Sequence, residues 1–233
     1  MAELLMLLAR PFALAEDNPV DILFVDSRQL VRAGIERVLS DSGYLTVCGE
    51  AANCDEAIRQ ARNSRPQVIL INLPGSSVDV LDGARKLHRQ FPDIRVLVFT
   101  DVSELVIQEH LLQAGVAGCI NSSCDIEELF TAIETVLNGE RYISDSLARK
   151  LAERRLPDAE KSPFDRLTYR ELQVLLLVAE GKNTSAIARA LCLTLKTVNG
   201  YRNRLLEKLQ VHTEVELMHL AVHHGLISIP HFT

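Results

Sequence analysis

From Asp21 onward, short apolar runs alternate with amphipathic stretches. ILFV precedes a helical pattern over Gln29–Leu39, LTVC precedes Cys54–Arg62, and VILI precedes Val80–Gln90. RVLVF then precedes Ser103–Gln113, and AGCI precedes Asp125–Leu137. Apolar runs of four or five residues without polar alternation suit strands buried on both faces, and the helices between them supply the crossovers that parallel strands require. The pattern therefore predicts a flavodoxin-like, five-stranded parallel doubly wound α/β domain over residues 20–143. Asn138 and Gly139 close its last helix, where glycine suits a left-handed cap.

A second, all-helical pattern occupies residues 164–233. Residues 144–163 are charged, hold two prolines and read as a linker whose first half, Ser146–Arg155, is helical. Ser162-Pro163 introduces the second domain. Thr168 and Glu171 make a capping box ahead of LQVLLLVAEG, and Gly181 stops that helix. Asn183–Leu191 makes the next, with Ile187, Ala190 and Leu191 inward. In TLKTVNGYRNRLLEKL, residues 194–209, Thr194 caps a helix whose Leu195, Val198, Leu205, Leu206 and Leu209 fall on a packing side. Its other side collects Lys196, Gly200, Asn203 and Arg204, with Asn199 at the edge and no acid before Glu207. Lysine and arginine neutralise phosphates and asparagine can bond an adenine edge with both halves of its amide, so this strip suits a major groove. A solvated helix face is the alternative. Gly200 costs a helix interior about 1 kcal/mol relative to alanine, which points to a backbone that must approach a surface closely. Lys182 and Thr184 stand at the start of the preceding helix, where a phosphate could meet a cation and free N–H groups. Arg202, nearer the apolar side, reads as a paired structural arginine with Glu171 as a candidate partner.

Composition narrows the function class. No stretch of eighteen apolar residues exists, which excludes a membrane span. Residues 1–19 hold an apolar patch with Arg10 inside it, whereas a signal peptide places its positive charge ahead of the apolar run. They read either as an amphipathic extension packed on the next domain or as a disordered tail. Five cysteines without a CxxC pair indicate reduced thiols in a cytoplasmic protein. His219, His223 and His224 lack an acid or cysteine partner set and read as solvated or dimer-face residues, so neither metal nor cofactor is expected. The formal net charge is −6, but residues 20–143 carry 11 basic against 18 acidic side chains and residues 164–233 carry 8 against 6. A mildly cationic domain tethered to an acidic one fits site-specific DNA binding.

The segment LTYRELQVLLLVAEGKNTSAIARALCLTLKTVNGYRNRLLEKL resembles the four-helix DNA-binding domain of the NarL/LuxR family. The likeness runs from Phe164 to about Ile227, and YR.R followed by VELMHLAVHHGL is similar to the GacA/UvrY type of response regulator. The resemblance implies contacts to double-stranded DNA by Lys182, Thr184, Thr194, Lys196, Thr197, Asn199, Gly200, Tyr201, Asn203, Arg204 and Lys208. It also implies a homodimer formed through the last helix, with Val215, Met218 and Val222 in the two-fold interface.

The earlier domain, through VDSRQLVRAGI, VILINLPG, VLVFT and LLQAGVAGCINSS, resembles a response-regulator receiver from Asp21 to Gly139. The resemblance places Asp26, Ser27, Asn72, Thr100 and Ser122 at the phosphoacceptor pocket. There the family has an accepting aspartate where Asn72 stands, a pair of metal-holding acids at Asp26 and Ser27, and a lysine at Ser122. An amide is no anionic nucleophile, and one acid in place of three is a poor magnesium site. Asp79, Asp82 and Asp101 lie nearby in sequence, but the family geometry points the first two elsewhere. Losing two carboxylates should also relieve the repulsion that crowded acids create without a cation. Such a pocket could be an empty scaffold, a small-molecule site or a docking face. The expectation is a cytoplasmic, non-enzymatic transcription regulator that binds DNA as a dimer independently of aspartyl phosphorylation. The alternative is an interaction protein whose degenerate receiver holds a protein or small-molecule partner, with DNA binding secondary.

Overall fold

The structure is a computed structural model that describes residues 19–72, 77–100, 105–154, 156 and 162–226 of the 233. The N-terminal extension up to residue 18, the segment directly after Asn72, Asp101 and the expected helix start at Ser103 lie outside the described residues, as do most of the second half of the linker and the chain from Ile227.

Strands β1 (Val20–Val25), β2 (Leu45–Ala51), β3 (Val68–Ile71), β4 (Arg95–Thr100), β5 (Gly118–Asn121) and β6 (Tyr142–Ile143) form one sheet in the order β2-β1-β3-β4-β5-β6. All pairings are parallel. Between the first five lie α1 (Gln29–Ser40), α2 (Cys54–Ser64), α3 (Ser77–Gln90) and α4 (Leu105–Gln113), and α5 (Ile126–Leu137) follows β5. Strand positions alternate between two apolar clusters. Leu23, Val25, Ile69, Ile71, Val96 and Val98 pack with α2, α3 and α4, while Ile22, Phe24, Val68, Leu70 and Leu97 pack with α1 and α5. Both faces are therefore covered, which is why the strands read as unbroken apolar runs.

The sheet has six strands where five were expected. After Gly139, at φ +85°, the chain turns back, and Tyr142 donates its N–H to Ala117 O at 2.9 Å, so β6 pairs the edge that β5 would otherwise expose. Close approach requires glycine at position 118. A Cβ there would lie 2.5 Å from the Tyr142 carbonyl oxygen.

Helix α6 (Asp145–Glu153) leads through the linker to a 3-10 turn at Pro163–Arg166 and then to α7 (Tyr169–Ala179), α8 (Thr184–Ala190), α9 (Leu195–Leu209) and α10 (Glu214–His223). The capping box at Thr168 and Glu171 is formed in both directions. Asn183, Thr194 and Thr213 each accept a backbone N–H three residues on, an interaction worth typically about 1 kcal/mol per cap. Gly181 ends α7 at φ +76°. Val198, Leu205 and Leu209 are buried as the helical spacing predicts, but Leu195 is 53% exposed. It is the first residue of α9. Helical side chains tilt toward the N-terminus, so this one overhangs the helix end instead of covering a preceding turn.

Candidate nucleic-acid interface and receiver pocket

Helix α9 is held by its apolar side and by two polar ties. Arg202 donates to the Thr184 hydroxyl and pairs with Glu214, joining α9 to α8 and α10. Lys208 Nζ lies 2.7 Å from Glu171 Oε2 and donates to the Arg166 carbonyl at 3.1 Å. The arginine is thus the expected structural residue, but its acid is Glu214; Glu171 takes Lys208 instead. Six residues later along α9, Lys208 is the cation that reaches the start of α7. Lys208, expected on the DNA side, has its ammonium turned to the body of the domain. Burial alone would raise the Glu171 carboxyl. Donation from Lys208 and from the Thr168 N–H and hydroxyl outweighs that effect and holds the group below the ordinary glutamate range.

The opposite side of α9 is open. Lys196, Asn199, Asn203 and Arg204 are exposed, and Gly200 and Tyr201 are half-buried between them. A Cβ on Gly200 would meet only Arg204 Nη2, at 4.0 Å. Arg204 lies along the helix, its Nε donating to the Gly200 carbonyl at 3.1 Å and its guanidinium 4.6 Å from the Tyr201 ring centre. At the helix start, the Thr194 and Thr197 hydroxyls are 2.9 Å apart. Lys182 is exposed before α8, while the Thr184 hydroxyl is engaged by Arg202. On α10, Leu217 and Ala221 are buried, Val215 is 64% and Met218 37% exposed, and Val222 is half-buried. The exposed pair lies away from the buried face.

At the carboxyl ends of β1 and β3 the pocket is closed by hydrogen bonds. Asp26 is fully buried. Its Oδ1 accepts from the Arg28 backbone N–H at 2.7 Å and from Arg28 Nε at 3.1 Å. Its Oδ2 accepts from Arg28 Nη2 at 2.9 Å and from Asn72 Nδ2 at 2.8 Å. Four donors, two of them on one guanidinium, saturate the carboxylate. Arg32 braces the same turn, donating to the Asp26 carbonyl and pairing with Glu50, each at 2.7 Å. Thr100 is buried, whereas Ser27 and Ser122 are exposed. The structure thus brings Asp26 and Asn72 together and adds Arg28, which sequence reasoning passed over. A basic residue two positions after the strand-end acid was the available signal.

Asp82 does not reach this pocket. It accepts from the Tyr169 hydroxyl at 2.8 Å and from Gln173 Nε2 at 2.5 Å, both on α7. Among the described residues no three His, Cys, Asp or Glu side chains are grouped to hold a metal ion, and no helix is long and apolar enough to cross a membrane.

Comparison with known proteins agrees with both parts of the architecture. The family described as "Bacterial regulatory proteins, luxR family" matches residues 165–221, and "Response regulator receiver domain" matches residues 22–134. The chain is 40% identical over 210 residues to the response regulator GacA of Pseudomonas viridiflava, covering 90% of this chain and 98% of that protein. It is 36% identical over 210 residues to the response regulator UvrY of Escherichia coli K12, covering 90% and 96%. A structure of the Salmonella typhimurium RcsB response regulator superposes with a TM-score of 0.73 over 89% of this chain and 99% of that one; at 21% identity the likeness is one of fold. RcsB bound to promoter rprA in the presence of phosphomimetic BeF3- gives a TM-score of 0.69 at 21% identity, over 87% of this chain and 98% of that one.

Proposed function

Because the chain belongs to the luxR family of bacterial regulatory proteins and carries a receiver domain ahead of its DNA-binding domain, we propose that it regulates transcription without aspartyl phosphorylation. It is a DNA-binding response regulator and not an enzyme. Helix α9 enters the major groove, with Asn199 and Asn203 turned to base edges and Lys196 and Arg204 to phosphates. Gly200 lets the backbone approach. Two copies pair through Val215, Met218 and Val222 and read two half-sites, in keeping with the RcsB structure in which two dimers bind two parallel DNAs.

The observation that carries phosphate independence is the saturated Asp26 carboxylate. Asn72 stands at the acceptor position of the family and spends its amide N–H on Asp26, so it offers no anionic nucleophile. A magnesium ion needs hard oxygen ligands and usually one or two carboxylates, yet both Asp26 oxygens already face the Arg28 guanidinium. The residues present do not fit that ion. Exposed Ser122, lacking a cation of its own, leaves an acyl phosphate without its usual counter-charge.

The test is incubation of the full chain with acetyl phosphate and magnesium, followed by intact mass. The mass should not change. A stable gain of one phosphoryl group on any aspartate overturns the proposal.

A further inference from the structure

Helix α7 is buried all round. Every residue from Glu171 to Ala179 is buried, although one side of the helix suffices to pack α8, α9 and α10. A helix apolar on all sides needs a partner on each, and the receiver supplies the second one. Tyr169 and Gln173, four residues apart, lie on one stripe of α7, and that stripe meets α3 and α4. Tyr169 and Gln173 converge on Asp82. The Arg85 guanidinium lies 5.0 Å from the centre of the Tyr169 ring, and the His110 ring packs edge-on against it at 5.6 Å. Gln173 is completely buried, and its Oε1 accepts from Arg170 Nη1 at 2.8 Å, so both ends of its amide are satisfied. Arg154, at the end of α6, adds a third bridge by pairing with Glu109 on α4 and Asp165 in the 3-10 turn. The apolar cluster behind this contact runs continuously from the receiver into the DNA-binding domain.

What the joint leaves free is as informative as what it holds. No hydrogen bond or ion pair between described residues links α9 or α10 to the receiver. The strip of Lys196, Asn199, Asn203 and Arg204 is exposed with the domains docked, and so are Val215 and Met218.

We propose that Asp82, Tyr169 and Gln173 form a fixed docking joint, and that the docked arrangement is itself the one that reads DNA. This rests on the DNA-binding reading above. The receiver then serves as the second wall of the α7 core and sets the pose of the recognition helix, and binding needs no release of one domain from the other. Asp82 and Tyr169 act as positioning residues, since neither faces the DNA strip.

The test uses the full chain and the variants Asp82→Ala, Asp82→Asn and Tyr169→Phe. X-ray scattering and thermal unfolding, both without DNA, read the joint; fluorescence anisotropy with a preferred DNA site reads binding. Asp82→Ala and Tyr169→Phe should raise the radius of gyration and split one unfolding transition into two, while Asp82→Asn, which keeps an acceptor oxygen, should stay close to the parent. Their DNA affinity should fall or stay within about fivefold of the parent, the lower end of typical coupling between sites. A rise in affinity beyond that in Asp82→Ala or Tyr169→Phe would make the joint inhibitory and overturn the proposal. Unchanged scattering and unfolding in both variants would overturn it as well. Because the joint is read without DNA, its failure shows separately from a failure of the parent chain to bind DNA.

Discussion

Lys208 Nζ and Glu171 Oε2, 2.7 Å apart, join the end of α9 to the start of α7. Glu171 is 3% exposed, and the same oxygen accepts from the Thr168 N–H at 2.8 Å and from its hydroxyl at 3.0 Å, so one carboxylate serves as both cap and ion-pair partner. Replacing it leaves a half-buried ammonium without its anion. Glu171→Gln should cost about 1–3 kcal/mol of stability at pH 7, the usual penalty for leaving such a group unsatisfied. Urea unfolding measures it.

The same contact sets an acid dependence. The folded Glu171 carboxyl titrates below the unfolded value near 4.5, so its contribution is complete above that value and is lost as pH falls through the lower folded one. Urea midpoints recorded from pH 6 downward should fall more steeply in the parent than in Glu171→Gln over that window. Parallel curves would show that the contact contributes nothing.

At the receiver pocket, Asn72→Asp should not restore phosphotransfer. The substitution replaces an N–H donor with a second carboxylate against the buried Asp26, and Arg28 still occupies the oxygens that a metal would need. The expected result is a less stable receiver, by about 1–3 kcal/mol for the lost hydrogen bond and unsatisfied acceptor, with little recovery in millimolar magnesium. Thermal melts with and without the ion decide it; full recovery with magnesium would mean that Arg28 yields to a metal.

How far the sequence was legible depends on the kind of contact. The apolar runs of β1, β3 and β5 marked a sheet covered on both faces because Ile22 to Val25, Val68 to Ile71 and Gly118 to Ile120 are buried whichever way they point, whereas β2, at the sheet edge, buries only its two ends. The two residues of β6 are too short to carry a period. Asn72 could be set beside Asp26 because the ends of adjacent strands fix their positions. Arg28 sits in a turn, where side-chain direction depends on backbone angles that no pattern encodes. LQVLLLVA announced a helix, but a run apolar on all sides does not say that a second domain covers one of them. Arg202 could be read as structural from its side of α9, whereas its choice of Glu214 over Glu171 depends on how three helices cross.

The exposed side of α10 gives the dimer prediction. Val215 and Met218 are large apolar residues in water, and an interface that covers them recovers roughly 25 cal/mol for each Å² of apolar area removed. Val215→Glu with Met218→Glu should weaken self-association of the full chain at least tenfold in sedimentation experiments, a modest effect for two charges placed in an interface core. Folding should survive, because Val215 is mostly exposed and Met218 keeps more than a third of its surface in water, outside the buried face of Leu217 and Ala221. An unchanged association constant would move the dimer contact elsewhere.

The last prediction separates base reading from phosphate contact on α9. Asn199 and Asn203 are four residues apart on the exposed strip, so both can reach base edges from one helix face. Asn203→Ala should cost about 1–3 kcal/mol at the preferred site and hardly alter binding to random DNA. Lys196, in the first turn, carries a charge toward the backbone. Lys196→Ala should weaken specific and random binding together and lower the slope of log affinity against log salt by about one unit, as one phosphate contact is lost. Gly200→Val tests the approach of the backbone itself. A Cβ at this position meets, apart from the helix's own backbone, nothing closer than Arg204 Nη2 at 4.0 Å, so folding should suffer little beyond the branched residue's modest helix penalty. Against DNA it would hold the helix off the groove and reduce binding well beyond that penalty. Anisotropy titrations on preferred and random duplexes at several salt concentrations resolve the three effects. If all three variants bind the preferred site as the parent does, the strip is a solvated face and α9 is not the reading helix.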